Sequence, residues 1–214
     1  MNESEKKIST AGVIFTIAVT IGFVWAAAQW FTLWSKPGPI TAMDMQSNEQ
    51  SAFLNLQTIS QAQKKYKEKD WNGDGKKTYA DYFIHLWTSV TTTGDPIFTG
   101  LISKRLGFAL ESSRAINGYY FVDMHDRLLP ENTGLQRLDY EKQWAVLAVP
   151  TSNGLTGMLF LMADQSGHIF VNPAKFVSPQ YPDNPLSVGW IEIDTIEQLK
   201  DFQKKIIYPQ TFMQ

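Results

Sequence analysis

From Ala11 to Trp34 the sequence AGVIFTIAVTIGFVWAAAQWFTLW passes through 24 residues without a charged side chain. As an α-helix rising 1.5 Å per residue, such a run reaches about 36 Å, enough to cross a hydrocarbon core of roughly 30 Å. The expected layout follows from it: a cytoplasmic tail at 1–10, a transmembrane helix at 11–34, a linker at 35–41 and one extracytoplasmic domain at 42–214. A cleaved signal peptide is the competing reading, because Lys6 and Lys7 precede the run and Ala26, Ala27 and Ala28 resemble a cleavage site. Continuation through Trp30, Phe31, Leu33 and Trp34 favours the anchor. Lys6 and Lys7 before the run, against Lys36 alone soon after it, set the orientation by the positive-inside tendency.

Within the run Gly12, Thr16 and Thr20 recur every fourth residue, and Ala27 falls on the same side by helical angle. Small residues along one side let a second helix approach closely, so these four are the candidate helix-packing residues. Pro37 and Pro39 around Gly38 end the helical pattern. The net charge of −2, with 19 basic and 21 acidic residues spread along the chain, offers no basic face for nucleic acid. The absence of cysteine excludes disulfides, thiolate metal sites and covalently attached haem.

From Ser47 to Lys69 the pattern is helical, with Phe53, Leu56, Ile59 and Tyr66 on one side. Shorter helical pieces are expected in YADYFIHLWTSV and PIFTGLISKRLGFAL, and another at 195–207. Between them GYYFVDMH (118–125), QWAVLAVP (143–150), LTGMLFLMAD (155–164) and HIFV (168–171) read as strands. TSNG and QSG supply turns, which predicts an antiparallel sheet of consecutive hairpins covered by the long helix.

DWNGDGKKTYAD, residues 70–81, follows the long helix with the spacing of a calcium loop. Asp70, Asn72 and Asp74 stand at ligand positions 1, 3 and 5, Lys76 supplies a backbone carbonyl, and Thr78 and Asp81 occupy positions 9 and 12, with Gly75 at the turn. Asp81 is shorter than the glutamate usual there, and the same residues suit a turn that closes one helix with its own side chains. Calcium is the one cofactor the sequence nominates; no haem or flavin attachment signal occurs.

The order of these motifs carries a resemblance. LQTISQAQKKYKEKD, then the DWNGDGKKTYAD turn, then GYYF, then WAVLAVPTSNGLTGMLFLMADQSGHIFV resembles, over residues 52–172, a family of bacterial exported proteins of unknown function. In layout it is similar to the globular heads of type IV pilins and pseudopilins, without the cleaved leader before a Phe and the Glu five residues into the apolar helix that a pilin would show. The resemblance implies an α+β fold, a single N-terminal transmembrane helix followed by a pilin-like head, its long helix packed on an antiparallel β-meander sheet. It also implies a place in the bacterial inner membrane, with the domain in the periplasm.

No catalytic constellation is visible. His85, His125 and His168 fall on different elements, His125 and Asp126 as strand neighbours point to opposite faces, and no nucleophile or phosphate-loop fingerprint occurs. Asp123, Asp139, Glu141 and Asp164 are the acids that folding would have to pair for general acid-base work. Two irregular stretches invite contact: 126–141 with Leu128, Leu129, Leu135 and Leu138, and 172–190 with four prolines around Phe176, Tyr181 and Trp190. The expectation is a non-catalytic, membrane-anchored accessory or structural subunit of a larger membrane complex, such as one of respiratory or photosynthetic electron transport. Its partners would be other membrane protein subunits and the lipid bilayer. A pseudopilin-like filament or secretion component is the alternative, and a calcium-dependent extracytoplasmic binding protein the second alternative.

Overall fold

The computed structural model describes residues 41–129 and 134–207. They belong to the compact unit Thr41–Gln214. Its first element is α1, Ala42–Lys67, which begins five residues earlier than the apolar spacing predicts. The cause is a capping box: Thr41 Oγ1 accepts from Asp44 N at 3.2 Å while the Asp44 carboxylate accepts from Thr41 N at 2.9 Å. Asp44 in the first turn and Lys64, Lys65 and Lys67 in the last complement the helix dipole. Phe53, Leu56, Ile59 and Tyr66 are buried, as their spacing requires.

That helix lies on a five-stranded antiparallel sheet whose strands stand side by side in chain order. The strands are β3 (Tyr119–Asp123), β6 (Ala145–Pro150), β7 (Phe160–Asp164), β8 (Ile169–Asn172) and β10 (Ile191–Ile193). Every residue of β7 is buried, and the alternation of side chains sorts two cores. Val146, Ala148, Leu161, Ala163 and Val171 face α1 together with Leu199 and Phe202 of α3, Ile196–Phe202. Leu147, Phe160, Met162 and Phe170 face the other way, against Met124, Leu138, Tyr181 and Trp190. The inner strands thus have no solvent face: a helical layer covers one side and an irregular layer covers the other, while Ile191 and Glu192 of the edge strand β10 stay exposed.

The irregular layer contains a small sheet of order β5-β4-β9, from Leu135–Arg137, Asp126–Leu128 and Tyr181–Pro182. The register pairs Leu128 with Leu135 and runs β9 parallel to β4. Ahead of β3 the chain forms a 3-10 turn at Phe83–Leu86, a hairpin of β1 (Thr88–Val90) with β2 (Pro96–Phe98), and the single turn α2, Lys104–Gly107. Helices were expected in both stretches. The β-branched TSVTTTGD sequence and a left-handed Gly94 make a hairpin instead, and Gly100, also left-handed, breaks the chain before Ser103 caps α2.

The expected fold class needs correction in its helices. No helix among the described residues is long and apolar enough to cross a membrane, and the helix on which the unit is built is Ala42–Lys67. The sheet itself is antiparallel with its strands side by side in chain order, as a meander requires. Strands β6, β7 and β8 follow one another directly; β3 joins β6 across the detour through β4 and β5, and β10 adds a fifth strand beyond β8. The Ala11–Trp34 run, with Gly12, Thr16, Thr20 and Ala27, lies outside the described residues.

Candidate functional site

The 70–81 turn is held to α1 by Gln63, whose amide oxygen accepts from Ala80 N at 2.8 Å and whose amide nitrogen donates to Ala80 O at 3.1 Å. Inside the turn Asp70 accepts from Gly73 N at 2.8 Å and Gly75 N at 2.9 Å, and Asp74 accepts from Lys76 N at 2.8 Å. Asn72 Nδ2 donates to Asp74 at 3.0 Å, and both glycines take left-handed φ. The front of the predicted calcium loop therefore gathers as a turn that bonds its own backbone. Its back does not join: Lys76 Nζ reaches Glu141 at 2.8 Å, Thr78 lines a cleft, and Asp81 accepts from His85 Nδ1 at 2.7 Å and Tyr82 N at 3.0 Å. Burial pushes the Asp81 carboxyl up, but the hydrogen bond and charge of His85 outweigh it and hold the group below its ordinary value.

That cleft, of about 310 Å³, opens between the end of α1, the turn, the 3-10 segment and the β1–β2 hairpin, with Tyr140 closing one side. At its floor Tyr66 Oη and Ser89 Oγ share a hydrogen bond of 2.9 Å. Beside His85 a ring cluster runs inward. Tyr82 meets His85 edge-on at 5.6 Å and His125 at 4.6 Å, and His125 Nδ1 and Tyr140 Oη are 2.7 Å apart. Burial lowers the His125 pKa and pushes the Tyr140 phenol up to about 12. Asp123 accepts from Phe83 N at 2.8 Å, and burial pushes its carboxyl up to about 7, with Asp81 adding to the rise. Such a carboxyl exchanges its proton near neutrality. Among the described residues neither imidazole engages a Ser or Thr hydroxyl: His85 is bonded to Asp81 and His125 to Tyr140.

Sequence reasoning missed this meeting of two histidines. Its legible part was the spacing within DYFIH, which puts Asp81 four residues and Tyr82 three residues before His85, as a tight helical turn requires. Return of His125 and Asp123 from 40 residues away carried no local signal. Other expected pairings are kept apart. Asp139 is bound to Lys142 at 3.0 Å, Glu141 to Lys76, and buried Asp164 accepts from Ser166 Oγ at 2.5 Å and Tyr181 Oη at 2.7 Å. Among the described residues His168, Glu192 and Asp194 are a group whose donor atoms lie within 4.8 Å of one another, a set able to hold a metal ion. In the structure His168 Nδ1 bridges Asp194 at 2.6 Å and Glu192 at 3.2 Å, tying β8 to β10 at the surface.

The contact residues divide differently from expectation. Leu138, Tyr181 and Trp190, expected to meet a partner, are buried under the sheet because β5 and β9 bring them onto Leu147, Met162 and Phe170. Leu128 and Leu129 are half-buried, and Leu135 remains exposed. Within 172–191 the outward residues are Phe176 at 78 % exposure, Leu186 at 57 % and Val188 at 56 %, with Ile191 beyond them. The same segment is fastened from beneath by Tyr181 on Asp164, by buried Trp190 and by the Arg127–Asp183 ion pair.

Comparison with protein-family models, with curated proteins and with solved structures gives no match. The resemblance over residues 52–172 accordingly rests on its motifs alone.

Proposed function

We propose that the described unit is a non-catalytic contact head, part of an accessory or structural subunit of a larger membrane protein complex. The observation that supports this is the 172–191 segment. It fixes a run of proline-rich chain onto the sheet through Tyr181, Trp190 and Asp183, yet turns Phe176, Leu186 and Val188 to solvent. Loops anchored by their own side chains and displaying large apolar groups are where protein partners bind. The membrane setting of this reading rests on the sequence of residues 11–34 alone.

The test is extraction from the native membrane in mild detergent, followed by native mass determination and identification of co-migrating chains. A large particle with a constant ratio of the same partners is the expected result. Its loss on Phe176→Ser with Leu186→Ser and Val188→Ser, at unchanged melting temperature, would assign the contact to this segment. Migration alone near the chain mass of 24.3 kDa plus detergent would refute the reading.

A further inference from the structure

The cleft beside Asp81 and His85 has a lining of one dominant chemistry. Three tyrosines, three threonines and Ser89 make up seven of its eleven lining residues. Its one carboxylate, Asp81, meets its one imidazole, His85, through Oδ1 at 2.7 Å. Two of the rings are braced from outside the cleft. Tyr66 stacks on Trp71 at 5.9 Å, and Tyr79 packs against Trp144 at 6.3 Å with Lys67 Nζ 4.4 Å from its centroid. Bracing of this kind fixes where hydroxyl groups point before any ligand arrives.

Several polar atoms of the lining have no partner among the described residues: the hydroxyls of Thr78, Tyr79 and Thr92, and Asp81 Oδ2. They offer donors and acceptors together. An apolar ligand would cover these groups without bonding them, at a cost of about 1–3 kcal/mol for each one buried unsatisfied. An anion would face Asp81 and, behind it, Asp123. A metal cation would find the single free oxygen of one carboxylate, Asp81 Oδ2, where hard cations take several oxygen ligands. What remains is a neutral molecule rich in hydroxyls, and about 310 Å³ lies at the small end of ligand pockets.

We propose that this cleft binds a neutral saccharide unit, with Asp81 Oδ2, Thr78 and Thr92 bonding its hydroxyls between the tyrosine walls. The proposal is independent of the contact-head reading, since the cleft lining and the 172–191 segment share no residue.

Saturation-transfer NMR on the purified protein, with maltose, cellobiose and chitobiose as probes and tetramethylammonium as a cationic comparison, tests it. At least one disaccharide should receive saturation at millimolar concentration. Its affinity should fall roughly fivefold in Asp81→Ala and in Thr78→Val, as expected for one lost hydrogen bond. Thr92→Val, at an exposed turn, gives the same test should either of the others fold poorly. Transfer to none of the sugars, transfer undiminished in folded variants, or transfer to tetramethylammonium alone would each overturn the proposal.

Discussion

Asp123 is the residue whose chemistry departs furthest from its type. Burial pushes its carboxyl up to about 7, while in an unfolded chain it titrates near 3.8. Between those values the folded state holds a proton that the unfolded state has released, so stability falls as pH rises through the window. Ionising the group in place costs on the order of a few kcal/mol by pH 8. Asp123→Asn keeps an oxygen for Phe83 N and removes the titration. The variant should match the parent near pH 4, exceed it in melting temperature at pH 8, and flatten the profile between. A parallel decline in both proteins would locate the pH dependence elsewhere. His125 works in the opposite sense: burial lowers its pKa, so its share of stability is present above about 6.5 and is lost as pH falls.

Among the elements, the 70–81 turn has the sharpest sequence signature and the plainest structural job. Asp70 accepts two backbone N–H groups, and Gln63 pins the turn's exit to α1, so the segment forms one wall of the cleft. Asp70→Ala should lower stability by about 1 kcal/mol per lost hydrogen bond, to the same extent in calcium and in chelator. A loss confined to calcium-containing buffer would show that an ion, rather than the turn's own bonding, is at stake. The elements also show what sequence conveys. The apolar spacing of α1 and the branched, aromatic runs at β3, β6, β7 and β8 were legible, because burial imposes periods of 3.6 and 2. The start of α1 lay in the Thr41–Asp44 box rather than in any apolar residue. Strand β10 escaped because IEI is three residues at the end of a proline-rich stretch, and it pairs only with β8. Which aromatics of 172–190 turn inward depended on Asp164 and the underside of the sheet, which no local pattern encodes.

At the scale of the whole molecule, one buried carboxylate links the helical layer to the sheet. Glu49 of α1 is fully buried and accepts from Met158 N at 2.7 Å and Leu159 N at 3.2 Å, where the chain enters β7. Its other oxygen accepts from Gln203 Nε2 at 2.6 Å, just after α3. Glu49→Ala would strand the two backbone donors and leave Gln203 Nε2 with Gln46 O alone, at a cost of about 3 kcal/mol or more. Chemical denaturation should show the midpoint falling with little change in slope; a change below about 1 kcal/mol would mean that water replaces the carboxylate. Close packing repeats nearby, where a side chain at Gly157 would stand 2.1 Å from the Tyr119 hydroxyl, leaving room for glycine alone.

The sheet's two covers differ in kind, and the difference sets how the protein comes apart. On one side lies a 26-residue helix continuous with its own capping; on the other lie short strands and loops joined to the sheet by a few fastenings such as Tyr181 on Asp164. Partial opening therefore begins at the loop side, as a peeling of that cover while the helix-backed half persists. The surface bared first is Leu147, Met162 and Phe170, a greasy flat of strand. Under crowded conditions it is through this back panel that neighbouring copies would clump, and each fastening beneath Tyr181 and Trp190 doubles as protection against that fate.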